Sequence, residues 1–181
     1  VTAADVHYAH LPGTPVGPVT VWVSSTGVRH IEFGPLPSTS NPDPPESRPE
    51  LLRRVVGQLE EYFGGERRSF ALPLDLHGVT DFQRQVYACL QDIRFGNLTT
   101  YGDLAQAVGS PQGAQAVGQA VGANPIPIVI PCHRVVTSDG RLGGFSGGLP
   151  AKVALLGIEG VEVAGTQPTS RVRPEIIRLP L

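Results

Sequence analysis

Six prolines stand within residues 34–49 (Pro35, Pro37, Pro42, Pro44, Pro45 and Pro49). No helix interior or central strand can run through such a stretch, because each proline removes a backbone donor and fixes φ. The segment is therefore a loop that splits the chain. Ahead of it, residues 6–11, 19–24 and 28–33 are rich in β-formers and are separated by Gly13, Pro15, Gly17, Pro18 and Gly27. That pattern predicts a small antiparallel sheet with tight turns. Behind it, Ser47 and Glu50 have the spacing of a capping box. Leu51, Leu52, Val55, Val56, Leu59, Tyr62 and Phe63 then recur at helical spacing until Gly64 and Gly65. A sheet carrying one helix makes an α/β domain over residues 1–78, which closes with an extended piece at 70–76.

Beyond residue 79 the periodicity is helical. Thr80 and Gln83 form another capping box, after which Phe82, Val86, Leu90 and Ile93 share a face. Residues 100–109 fit a short helix closed by Gly109. Ser110, with Pro111 after it, is expected to cap a further helix over 110–123 whose Ala114, Val117 and Val121 point inward. Two short helices joined by a glycine-containing turn have the pattern of a helix-turn-helix, which core hairpins share. Gly113, Ala114, Ala116, Gly118 and Ala120 either bring the second helix close to a partner or pack it on the first. Ile128, Val129 and Ile130 read as a buried extended run into Pro131-Cys132-His133-Arg134, and residues 151–158 as a last helix. The result is a mainly helical domain over 79–164. Residues 165–181 contain Pro168, Pro174 and Pro180 without a periodic apolar face, and are expected to be extended or disordered.

Composition limits the chemistry. The chain is 40% hydrophobic, enough for a core, yet no run reaches the roughly 18 apolar residues of a membrane span. Residues 1–5 lack the basic flank and apolar segment of a secretion signal, so a cytoplasmic protein without membrane contact is expected. Cys89 and Cys132 are too few for a disulfide framework and lack a Cys-x-x-Cys pairing, so neither a metal nor another cofactor is expected. A formal net charge of −2 argues against strongly electrostatic binding of nucleic acid. The distribution softens this, because residues 79–181 carry 8 basic and 7 acidic residues against 6 and 9 in residues 1–78. DNA contact would then rest on backbone amides, helix ends and a few arginines. Lys152, the sole lysine, is read as a product of biased composition.

Cys132, followed by His133 and Arg134 at the end of an apolar run, joins a nucleophile to a base and to a positive charge that would favour the thiolate. In an extended chain adjacent side chains point to opposite faces, and buried cysteine is common, so the tripeptide alone leaves a structural role open. A longer ordered set narrows the choice. It comprises Tyr101, the 110–123 helix, Asn124-Pro125, Ile130-Pro131-Cys132-His133-Arg134-Val135, Gly144-Phe145-Ser146-Gly147-Gly148 and Glu159-Gly160. This set resembles the O(6)-alkylguanine-DNA alkyltransferases, also called methylated-DNA–protein-cysteine methyltransferases. The resemblance is close over residues 80–163 and looser, though consistent in order, over 5–79.

The resemblance implies a ribonuclease-H-like α/β domain followed by a winged-helix-like domain that carries the helix-turn-helix. It implies stoichiometric, irreversible transfer of an alkyl group to Cys132 from O(6) of guanine, with O(4) of thymine as a further donor. The partner is double-stranded DNA, entered from the minor groove by a monomer that rotates the damaged nucleotide out of the duplex. By the same resemblance His133, through a water and oriented by Glu159, takes the Cys132 proton, and Tyr101 protonates the departing guanine. Ser146 and the backbone near Val135 line the guanine pocket, and Gly147 leaves room for larger alkyl groups. Asn124 ties the second helix to the active-site strand, and Arg134 buttresses the loop. The sequence departs from the family at Gln115, where an arginine usually fills the gap left by the extruded nucleotide; glutamine is shorter and uncharged. Two alternatives stay open. A lesion-binding sensor with weak or no transfer is favoured by Gln115 and opposed by Cys132. A cysteine hydrolase would need an oxyanion hole and leaves the helix-turn-helix unexplained.

Overall fold

A computed structural model describes residues 6–172. Three strands, β1 (His7–Leu11), β2 (Val19–Val23) and β3 (Val28–Phe33), form an antiparallel sheet in the order β1-β2-β3. The register aligns Ala9, Val21 and Ile31 in one row, and all three are buried. Because side chains alternate along a strand, the next row, Tyr8, Trp22 and His30, falls on the opposite face. There Trp22 stacks on Tyr8 at 5.9 Å and meets His30 at 5.3 Å. The Pro-rich loop guards the outer edge of β1. Asp43 accepts from the Tyr8 amide at 2.8 Å, and its own amide donates to the Tyr8 carbonyl at 2.9 Å.

At the other edge, the β3 residue Val28 exchanges backbone hydrogen bonds with Pro73 and Asp75, each at 2.8 Å. A side chain at Gly27 would lie 2.6 Å from the Leu74 backbone, so glycine permits this approach. The amide of Ile31 donates to the Pro125 carbonyl at 2.9 Å, which joins the sheet directly to the second half.

Helix α1 (Glu50–Phe63) buries Leu52, Val55, Val56, Leu59 and Tyr62. Its expected capping box is not formed. Arg48, which precedes a proline, is held extended at ψ 129°, so the helix cannot begin before Pro49. Ser47 instead closes a short 3-10 turn (Pro45–Ser47) and donates to the Pro44 carbonyl at 3.2 Å. Helix α2 (Asp81–Asp92) does carry its box, with Thr80 and Gln83 capping each other reciprocally. A two-residue strand β4 (Thr99–Thr100) leads into α3 (Tyr101–Ala107), which has a second reciprocal box between Thr100 and Asp103.

Helix α4 (Ala114–Gly122) starts later than expected. Residues 110–113 form a turn in which the Gly113 amide donates to the Ser110 carbonyl at 2.7 Å. Residues 128–130 are buried but turn sharply, with Ile128 at φ 75°, where an extended run was expected. A β-branched residue in the left-handed region is strained and persists because its surroundings hold it. Strand β5 (Val135–Val136) pairs in parallel with β4, and α5 (Gly148–Ile158) closes the helical half.

One apolar core runs from Ala9 in the sheet to Leu155 in α5, so the two halves share their interior. A smaller cluster joins Leu98, Val136, Leu142, Leu156, Val161 and Val172. The last member adds detail to the reading of residues 165–181 as extended or disordered. Val172 is buried, bridges Val163, and its amide donates to the Gly140 carbonyl at 3.0 Å, so 165–172 fold back onto the molecule. A single buried valine produces no periodic pattern. The rest of that segment lies outside the described residues. Among the described residues no helix is long and apolar enough to cross a membrane.

Candidate active site

Cys132, His133 and Arg134 form a 3-10 turn (Cys132–Arg134) between residues 128–131 and β5. The chain is thus coiled where it had been read as extended, and all three side chains are buried. Asn124, just past the end of α4, fixes the approach. Its Nδ2 donates to the Ile130 carbonyl at 2.8 Å and its Oδ1 accepts from the Ile126 amide at 3.0 Å.

Behind the turn lies Glu159, at the C-terminal end of α5, with a fully buried side chain. Its Oε1 lies 2.7 Å from Tyr62 Oη, 2.8 Å from His133 Nε2 and 2.8 Å from Arg134 Nη2. Its Oε2 accepts from Arg134 Nε at 2.9 Å and from the Gly96 amide at 3.0 Å. Because an ionised carboxylate only accepts, Nε2 carries the imidazole proton and Nδ1 the lone pair. Nδ1 is buried and has no protein hydrogen-bond partner among the described residues.

Burial alone would raise the Glu159 carboxyl, but the hydrogen bonds and charges of His133 and Arg134 outweigh it and hold the group well below the usual carboxylate range. Burial pushes His133 below its ordinary value despite the neighbouring carboxylate. Burial also pushes the Cys132 thiol up to about 11, against the opposing influence of the Asn124 side chain and the charge of Lys152. At neutral pH the site therefore holds a thiol, a neutral imidazole and an ionised carboxylate. Arg134 does not bring its charge to the sulfur but is engaged as a buttress of the loop would be. Its guanidinium is committed to Glu159 and to the Ile93 carbonyl.

Lys152 supplies that charge. Its Nζ donates to the carbonyls of Val135 at 2.6 Å, Leu142, and Gly144 at 3.4 Å, which ties β5 to the following loop. Burial lowers its pKa to about 8. The position of Lys152 in the sequence marks it as more than a product of biased composition. Residues 152, 155, 156 and 159 share one helical face, and a charge on the face that buries Leu155 and Leu156 needs a partner.

Tyr101 opens α3, with its ring 3.8 Å from the Cβ position of Gly118 in α4 and its hydroxyl 3.3 Å from that of Gly143. Burial, and to a lesser extent interaction with Cys132 when that thiol ionises, raise its phenol. Gly118 thus serves packing between the helices, whereas Ala116 is exposed. Gln115 is exposed on α4 and stands apart from the buried cluster. Val135 is buried in β5, and Ser146 is exposed on the loop before α5. A Cβ at Gly147 would lie 2.6 Å from the Phe33 ring of β3, so only glycine permits this close approach of the loop to the sheet. Phe33 meets Phe145 at 5.4 Å, and Phe145 meets His133 at 6.4 Å.

Comparison with known proteins covers both halves. Residues 7–76 match the family described as 6-O-methylguanine DNA methyltransferase, ribonuclease-like domain, and residues 81–161 match its DNA binding domain. A methylated-DNA–protein-cysteine methyltransferase of Methanosarcina acetivorans is 37% identical over 81% of this chain and 94% of its own length. The chain belongs to the methylated-DNA–protein-cysteine methyltransferases. Within that family, the protein of Mycobacterium bovis is 40% identical over 85% of this chain and 92% of its own. The crystal structure of Mycobacterium tuberculosis OGT in complex with DNA superposes with a TM-score of 0.73 at 39% identity, covering 84% of this chain and 92% of that one. The family's two-domain fold, a small antiparallel sheet followed by a helical domain, is the architecture seen here.

Proposed function

We propose that this methyltransferase reverses alkylation damage by moving the alkyl group from O(6) of guanine in DNA to Cys132, once per chain. The observation that carries the reading is Cys132 in a buried turn with His133 and Glu159 aligned behind it, in a chain matching the family over both halves. A protonated thiol needs a base at the moment of attack. His133 Nδ1 has the free lone pair, and a bridging water carries the proton from sulfur to it while Glu159 stabilises the imidazolium. The sulfur attacks the alkyl carbon, the S–C bond forms as the C–O bond breaks, and the electron pair leaves with the purine. Tyr101 gives that purine a proton at its minor-groove ring nitrogen. The thioether product offers no leaving group for an easy return.

The alkyl carbon is shielded inside a duplex, so the nucleotide must be rotated out, with O(4)-alkylthymine as a second substrate. In this reading α2–α4 with β4 and β5 act as a winged-helix-like unit that lays α4 in the minor groove, and Gln115 fills the void. The sheet and α1 serve as a ribonuclease-H-like platform. Asn124 and Arg134 hold the active-site turn. Ser146 and the Val135 backbone contact guanine, and Gly147 leaves room for larger alkyl groups. The protein works as a cytoplasmic monomer.

Incubation with duplex DNA carrying a radiolabelled methyl on O(6) of guanine tests this. One label per protein, with no increase at excess DNA, is expected. Tight binding without label would overturn transfer in favour of a lesion sensor, a role to which the uncharged Gln115 lends some support; repeated turnover would overturn it in favour of a hydrolase.

A further inference from the structure

Tyr62 belongs to α1 in the N-terminal half, yet its hydroxyl lies 2.7 Å from Glu159 Oε1 and 3.4 Å from His133 Nε2. Its ring is fully buried among Phe63, Phe70 and Phe95, at centroid separations of 5.8, 5.4 and 6.2 Å. A phenylalanine would fill that space equally well. The hydroxyl is what distinguishes the residue, and Glu159 is what it touches.

Three residues converge as donors on Glu159 Oε1: Tyr62, His133 and Arg134, the last through both Nη2 and Nε. Each donation draws charge from the oxygen that would otherwise attract the imidazole proton more strongly. The 2.7 Å contact with the carboxylate outweighs the 3.4 Å approach to Nε2, since hydrogen bonds weaken with distance and those to ionised groups are the stronger. The other titratable and charged groups around His133 are Lys152 and Glu159 from α5, and Cys132 and Arg134 from its own turn.

We infer that Tyr62 is a positioning residue for alkyl transfer: its hydroxyl moderates the Glu159 carboxylate and so keeps His133 a neutral proton acceptor, making the N-terminal half part of the reacting machinery. The inference rests on the proton relay described above. Burial and the adjacent carboxylate push the Tyr62 phenol far above its usual value, so it remains a donor throughout the working pH range. Without the hydroxyl, Glu159 holds the Nε2 proton more firmly and His133 protonates more readily. The acid limb of the reaction then moves to higher pH.

The test is single-turnover transfer from saturating O(6)-methylguanine duplex to the full chain across pH 5–9, for wild type, Tyr62→Phe and Glu159→Gln. The acid limb of Tyr62→Phe is expected to shift upward by roughly 0.5–1 pH unit. A purely structural residue would lower Tm and leave the profile in place, so a superposable profile overturns the inference. Fluorotyrosine at position 62, a stronger donor of the same shape, supplies the opposite displacement. Its limb should move to lower pH, and an unmoved limb overturns the inference even if Tyr62→Phe does not fold. Glu159→Gln separates the two readings. If it leaves the rate unchanged, the relay itself is wrong; if it slows transfer while both position-62 variants match wild type, only the role of Tyr62 falls.

Discussion

Burial that raises the Cys132 thiol to about 11 makes a standing thiolate unfavourable, so the sulfur must lose its proton to a neighbour as it reacts. His133 is suited to accept because the same burial keeps it neutral. Lys152 has a different task, since its ammonium faces three carbonyls of β5 and the following loop. Lys152→Met keeps the length and removes the donors, depriving the buried Val135 and Leu142 carbonyls of this partner. The expected loss of stability is on the order of 3 kcal/mol by urea denaturation, since each unsatisfied buried acceptor costs roughly 1–3 kcal/mol. Transfer should slow as well, because the loop carrying Ser146 loses its anchor. Unchanged stability and rate would show that the three contacts contribute nothing.

Helix α4 is the element on which the DNA reading depends, and Gln115 lies on its exposed face. Gln115→Arg introduces a longer, permanently charged side chain. If extrusion of the nucleotide limits repair, the variant should bind alkylated duplex more tightly and react faster there, with reaction toward free alkylguanine unchanged. Equal gains on undamaged duplex at several salt concentrations, without faster transfer, would reduce the effect to phosphate attraction. Much of this architecture was legible beforehand. The three strands, α1 and α2 follow from apolar spacing, and the Thr80–Gln83 cap from local chemistry. Local rules failed where another constraint acted. Pro49 displaced the cap expected at Ser47, and tertiary packing imposed the turn at Ile128. The pairing of Glu159 with His133, 2.8 Å apart, was legible only through the family resemblance of the ordered set. Tyr62 was read as a core residue, because nothing in α1 announces a partner 97 positions away.

Among the described residues the main apolar core spans both halves and encloses a buried ionic cluster, and the acid sensitivity of the protein should reflect that. His133 has a lowered pKa in the fold, so the unfolded chain binds more protons and stability falls as pH drops below about 6.5. Glu159 is likewise lowered, and its contribution is complete above about 4.5 and lost as pH falls through its folded value. Both act with the same sign, so urea midpoints should fall steadily from pH 7 to pH 4; a midpoint that rises or stays level would contradict this electrostatic picture. Transfer is also a property of the whole molecule, because the acceptor is consumed. The central claim is that Cys132, and not Cys89, is that acceptor. Cys89 lies within α2, half-buried, with its thiol raised by burial and by Asp92. The direct measurement is intact-mass and peptide analysis after reaction with excess O(6)-methylguanine duplex, on wild type and on Cys132→Ser. One methyl on the Cys132 peptide is expected, with none on the serine variant although it still binds the lesion; a methyl on the Cys89 peptide, or an unmodified protein after the DNA has been repaired, would contradict the account.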